Sequence, residues 1–199
     1  MKKKMIPGIL ALGIATVMVG SSVMAEPARN QSSDAIIELI SDGDVMIDDV
    51  PDFNFGIQNI SATTEIYPDI SETPYVQITD LRGSGAGWHL SIEATAFKAD
   101  GDKQLKGAIL RIKEIKVGGS DGNISDPPTT MEKVIEFGEG EDDGVEQVIL
   151  NAVENAGSGE WLGNFYDESK NFVELEVPAG NKIGEYTSTL TWTLTEAPK

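Results

Sequence analysis

Tyr186-Thr187-Ser188-Thr189-Leu190-Thr191-Trp192-Thr193-Leu194-Thr195 alternates without a break: Tyr186, Ser188, Leu190, Trp192 and Leu194 fall on one side, and five threonines on the other. Side chains of a strand point alternately to its two faces, so one face is mainly apolar and the other is a threonine ladder. Threonine suits a half-exposed pleated surface because its branched β-carbon is stiff. Gly180-Asn181 and Gly184, just upstream, supply turn chemistry. The stretch reads as a half-buried β-strand.

A second strand of the same kind is expected from Trp88 to Phe97, with Trp88, Leu90, Ile92, Ala94 and Ala96 on one face and His89, Ser91, Glu93 and Thr95 on the other. Further strands are expected over Tyr75 to Leu81, Ala108 to Val117, Met131 to Phe137, Val145 to Leu150 and Phe172 to Val177. Turns rich in Gly, Pro, Asp and Asn separate them, and Gly83-Ser84-Gly85-Ala86-Gly87 reads as a flexible loop. The fold class that follows is all-β, an antiparallel sandwich or barrel-like single domain with little helix. Gln147 to Glu154 is the one window that tempts a helical reading. Ala35-Ile36-Ile37-Glu38-Leu39-Ile40 is too short for periodicity to decide between a strand and a helical turn.

The chain begins with Lys2, Lys3 and Lys4, then an apolar stretch from Met5 to about Val19, then small residues ending in Val23-Met24-Ala25. That order is the layout of a secretory signal peptide. The organisation expected is a cleaved signal over 1–25, a polar lead over 26–42 and a β domain over 43–199. Cleavage after Ala25 removes three lysines and no acid, taking the formal charge from −18 to −21. Such acidity repels polyanions and argues against nucleic acid or anionic lipid as direct partners. Cysteine is absent, which excludes thiolate metal sites and thiol catalysis, and a chain this long can bury a core without disulfides. No apolar tail follows Pro198-Lys199, so no membrane insertion is expected after cleavage.

Catalytic patterns are sparse. His89 is the single histidine and lies on the polar face of its strand. No Gly-x-Ser-x-Gly surrounds any serine, and with 33 acids, chance carboxylate pairs are unavoidable. The Gly83–Gly87 loop leads into a strand instead of a helix, so it lacks the helix N-terminus that holds phosphates. Asp42-Gly43-Asp44, Asp100-Gly101-Asp102, Asp121-Gly122-Asn123 and Glu141-Asp142-Asp143 offer hard oxygen ligands but not calcium-loop spacing, and Asp-Gly is ordinary turn chemistry. No cofactor, no metal site and no enzyme activity is expected.

The aromatics are more informative. Trp88-His89-Leu90 and Trp192-Thr193-Leu194 repeat one pattern, and period 2 puts Trp and Leu of each on one face. Alternation favours core packing for both tryptophans. The other reading is a binding surface, since a flat apolar indole with a donor at its edge suits sugar rings. The ending Tyr186-x-x-x-Leu190-Thr191-Trp192-x-Leu194-x-x-x-Pro198 resembles the C-terminal signature of the WxL-domain family at every fixed position. Asp80-Leu81-Arg82-Gly83 before Trp88-His89-Leu90 is similar to the family's other hallmark, and Val50 to Gly56, to its opening strand and turn. Leu105 to Ala108 and Glu174 to Ala179 resemble further family segments, so the likeness spans about 43–198.

This resemblance implies a non-catalytic β-rich surface protein that attaches non-covalently to the peptidoglycan of Gram-positive bacteria. It implies Trp88, Leu90, Trp192 and Leu194 as the wall-binding motif, with Tyr186, Leu190, Thr191 and Pro198 as signature positions. The partners it implies are peptidoglycan, a membrane-tethered WxL-interacting companion, and a host matrix protein or polysaccharide. Larger members carry further domains, and none is expected here. Anionic wall polymers should repel so acidic a protein. Contact through neutral glycan and peptide, or through a bridging divalent cation, would resolve the conflict.

Overall fold

Apolar alternation here produces strands: the computed structural model describes residues 33–41, 43–101, 103–130, 133–138 and 145–197, and none of these is helical. The strands are β1 (Val45–Asp49), β2 (Glu65–Pro68), β3 (Tyr75–Asp80), β4 (Trp88–Ala94), β5 (Lys98–Ala99), β6 (Lys103–Gln104), β7 (Ile109–Ile112) and β8 (Lys116–Gly119). They continue as β9 (Thr129–Thr130), β10 (Ile135–Phe137), β11 (Gln147–Ala152), β12 (Gly159–Asn164), β13 (Tyr166–Asp167), β14 (Lys170–Asn171), β15 (Val173–Val177) and β16 (Leu190–Thr195). Residues 39–199 form one compact unit. The expected signal peptide lies outside the described residues.

Three four-stranded sheets organise the unit, in the orders β1-β3-β12-β8, β10-β7-β15-β2 and β16-β4-β11-β9. All their pairings are antiparallel, and none of the sheets closes into a barrel. Two short hairpins, β5-β6 and β13-β14, complete the ladders. The three sheets share one core. Val76, Ile78 and Trp161 come from the first; Leu110, Ile112, Phe137 and Val173 from the second; Trp88, Leu90, Ile92, Ile149 and Leu150 from the third. Burial of this apolar surface is the main favourable term in folding such a chain without cross-links.

Several expectations change. The strand expected over Val145 to Leu150 is present as Gln147 to Ala152, and the helical reading of this window falls: a bulge between Val148 and Leu150 sets Ile149 and Leu150 side by side in the core, which breaks simple alternation. Ala35–Ile40 is neither strand nor helix and is exposed. The stretch Ala108 to Val117 divides into β7 and β8, which belong to different sheets. Val50 to Gly56 lies outside every strand, and the opening strand is β1 just before it. Ser91 sits on the polar side of β4 yet is buried, its hydroxyl donating to Glu146. The Gly83–Gly87 loop is also held in place. Gly83, Gly85 and Gly87 take left-handed φ of 64–72°, which glycine adopts without strain, and the Asn155 amide donates to the Gly85 carbonyl at 2.8 Å.

Candidate functional site

The two Trp-x-Leu motifs meet in one sheet. β4 and β16 are neighbours, with Leu90 opposite Leu194, Ile92 opposite Trp192 and Ala94 opposite Leu190. Cross-strand pairs share a face, so the apolar sides of both motifs turn the same way. β4 is flanked on its other side by β11, whereas β16 is an edge. Trp88 and Leu90 are therefore fully buried, while Trp192 and Leu194 are half-buried.

Trp88 is fixed on every side. Its indole N–H donates to the Gly157 carbonyl at 3.0 Å. Gly157 has φ +73°, and a Cβ there would lie 2.4 Å from the Ala152 Cβ and 2.7 Å from the Trp88 Nε1, so only glycine fits. The Asp80-Leu81-Arg82-Gly83 segment acquires a physical reason. Buried Asp80 receives two parallel bonds from Arg82, Nε to Oδ1 at 2.9 Å and Nη2 to Oδ2 at 2.8 Å. The same Nη2 donates to the Gly87 carbonyl at 2.9 Å, which fixes the backbone where Trp88 begins. His89, behind the motif, donates from Nδ1 to the Ala197 carbonyl at 2.5 Å and ties the chain end to β4.

Trp192 leads elsewhere. Its ring meets Phe165 edge-on at 5.9 Å, and Phe165 meets Phe53 edge-on at 5.3 Å. This chain of rings ends at the wall of a groove of about 810 Å³. One wall is 53–61 and the other 178–188; Leu110 and Leu175 are among its apolar lining residues. Of the eight half-buried aromatics, five line it: Phe53, Phe55, Tyr67, Phe97 and Tyr186. Tyr186 and Leu190 of the C-terminal signature thus belong to the groove, Thr191 faces outward, and Pro198 lies outside the described residues.

Both walls are pinned. Buried Asp69 accepts from the Asn54 amide at 2.7 Å, the Ser71 hydroxyl at 2.7 Å and Asn171 Nδ2 at 2.9 Å. On the other side, Asn181 Oδ1 accepts from the Lys106 amide at 2.8 Å while its Nδ2 donates to the Lys106 and Pro178 carbonyls at 3.0 Å. The Tyr186 hydroxyl donates to the Lys182 carbonyl at 2.9 Å. Beside the groove, Ser61 and Thr63 donate to Glu65 at 2.8 and 2.9 Å and hold its carboxyl below the usual value, Ser61 contributing most.

Asp69, Phe165 and Asn171 were not legible as site-builders in the sequence; Phe53 stood only in the Val50 to Gly56 segment, which resembles the family's opening strand and turn. Among the described residues, no group of three or more His, Asp or Glu is placed to hold a metal. Asp42, Asp102 and Glu141 to Asp143 lie outside those residues. Asp121-Gly122-Asn123 is a turn, with the Asn123 amide donating to the Ser120 carbonyl at 3.1 Å and Gly122 at φ +80°.

Three antiparallel sheets around one core, with an aromatic groove at the surface, define the class: an all-β binding domain. The chain belongs to the WxL family, matching the family described as "WxL domain surface cell wall-binding" over residues 25–198. That is a family of wall-binding domains and not of enzymes, and its location is the cell wall or cell surface. No curated protein and no solved structure matches the chain.

Proposed function

We propose that this protein is secreted by a Gram-positive bacterium, loses residues 1–25, and attaches non-covalently to peptidoglycan. The observation that carries the reading is the family match over 25–198, joined to the meeting of the two Trp-x-Leu motifs on adjacent strands. In this reading the motif residues act by different means. Trp88 and Leu90, fully enclosed, shape the contact surface from beneath. Trp192 and Leu194, on the edge strand, are half-buried, and Trp192 braces the groove wall through Phe165 and Phe53. The test is sedimentation of the purified protein with peptidoglycan stripped of teichoic polymers, with and without chelator. Saturable sedimentation unchanged by chelator is expected. Loss of binding in chelator would replace direct contact by a cation bridge, and no sedimentation at all would refute wall attachment by the chain itself.

A second reading rests on the edge position of β16, whose outer side has no strand partner among the described residues. Such an edge can accept a strand from another protein. The protein would then serve as a subunit of a surface complex, held at the wall by a membrane-tethered WxL-interacting companion and contributing to adhesion to host matrix or polysaccharide. Failure to sediment alone, with recovery when the companion is added, would favour it.

A further inference from the structure

We propose that the groove between residues 53–61 and 178–188 is a saccharide site that takes an uncharged, N-acetylated glycan segment. The inference rests on the wall-binding reading and assigns that reading a place on the molecule. Its first support is charge. The chain carries a formal −18, yet among the described residues the only Lys, Arg, Asp or Glu side chains lining the groove are Lys182 and Glu185, one of each sign, with Glu65 beside it. The groove is therefore nearly neutral on an acidic protein. A polyanion meets the repulsion of the whole molecule, while an uncharged ligand meets none.

The second support is the lining. Five half-buried aromatic side chains line the groove, and aromatic surface packs well on the C–H faces of pyranose rings. Polar groups stand among them. The Asn59 amide and the Tyr67 hydroxyl have no hydrogen-bond partner among the described residues, so they are free to meet hydroxyl and acetamido groups. Aromatic walls with a few unspent donors and acceptors are what an uncharged sugar needs. The volume of about 810 Å³ lies within the roughly 300–1,000 Å³ of small-ligand sites. The third support is rigidity. The Asp69 network anchors one wall at Asn54, and the Asn181 network anchors the other beside Pro178, which lowers the ordering cost of binding.

The experiment is an amide-shift titration of the purified protein with chitotriose, the neutral trimer of N-acetylglucosamine, run beside the wall sedimentation. The de-N-acetylated trimer serves as the charged control. Saturable shifts at Phe55, Asn59 and Tyr186 are expected with chitotriose, insensitive to added salt. Phe55→Ala should weaken binding about tenfold, as loss of one stacking ring does. Because Phe55 also touches the core, Asn59→Ala is the second variant: it is exposed and unbonded, so it stays folded and should weaken binding about threefold. Absence of saturable shifts, or shifts that both variants leave unchanged, overturns the proposal. So does occupation of the groove by a peptide of residues 33–41 when chitotriose does not enter it. If wild type and both variants sediment equally with wall, the wall reading stands and the groove is wrong. If chitotriose binds but wild type does not sediment, the groove stands and wall attachment fails.

Discussion

Trp88-His89-Leu90 and Trp192-Thr193-Leu194 are the same motif on neighbouring strands with Leu90 opposite Leu194, yet their surroundings differ. The first lies in the interior of its sheet, between β16 and β11, and its Trp88 and Leu90 show no exposed surface. The second lies on the edge and keeps one side open. Sequence identity of a motif therefore does not fix its role; position in the sheet does. An interior strand has neighbours on both sides to close over an indole, and an edge strand has one.

Trp88→Ala is the strongest way to test that difference. It removes a fully enclosed indole and strands the Gly157 carbonyl beside a cavity that the Gly157 backbone cannot fill. The cost should be about 3–5 kcal/mol, read as a lower midpoint in urea unfolding. A loss under about 1 kcal/mol would mean that the surrounding sheet collapses to fill the space.

Trp192→Ala should cost less, about 1–2 kcal/mol, because only part of the ring leaves water on folding. Its clearer effect should be on the groove. With Trp192 gone, Phe165 loses its edge-on partner and Phe53 is braced from one side less. Wall or chitotriose binding should weaken while the protein remains folded. If both tryptophan variants lose the same stability, interior and edge positions are equivalent and the comparison fails.

The sequence disclosed one half of this picture better than the other. Alternation from Trp88 and from Tyr186 was enough to find β4, β16 and their inner faces, because each strand keeps one apolar side throughout. β12 escaped because its inner face is Trp161 followed by Gly163, where a Cβ would lie 2.9 Å from Val76 Cγ1. A glycine required by close packing leaves no apolar signal. β2 escaped because it has four residues and ends in Pro68, as an edge strand can. The groove was invisible for another reason. Its walls join residues more than a hundred positions apart through Asp69, Asn171, Lys106 and Asn181, polar residues that look like any loop until the sheets bring them together.

The finest contrast lies in the middle residues, His89 and Thr193. Both sit on the outer side, but His89 donates to the Ala197 carbonyl and holds the residues that follow β16 against β4. The Thr193 hydroxyl makes no hydrogen bond to the protein among the described residues, and its backbone carbonyl accepts from Ser91 at 3.3 Å whatever side chain it carries. His89→Ala should therefore cost about 0.5–1 kcal/mol, the net worth of a partly exposed hydrogen bond. The loss should be local, because Leu194 and Thr195 remain paired with Leu90 and His89 through the backbone. Amide hydrogen exchange should speed up at Glu196 and Ala197 and stay unchanged at Ile92. Thr193→Val keeps the branched shape and should stay within about 0.5 kcal/mol of wild type. Equal exchange profiles in the two variants would show that the tie to Ala197 holds nothing, and that the middle residue of either motif is a passive surface position.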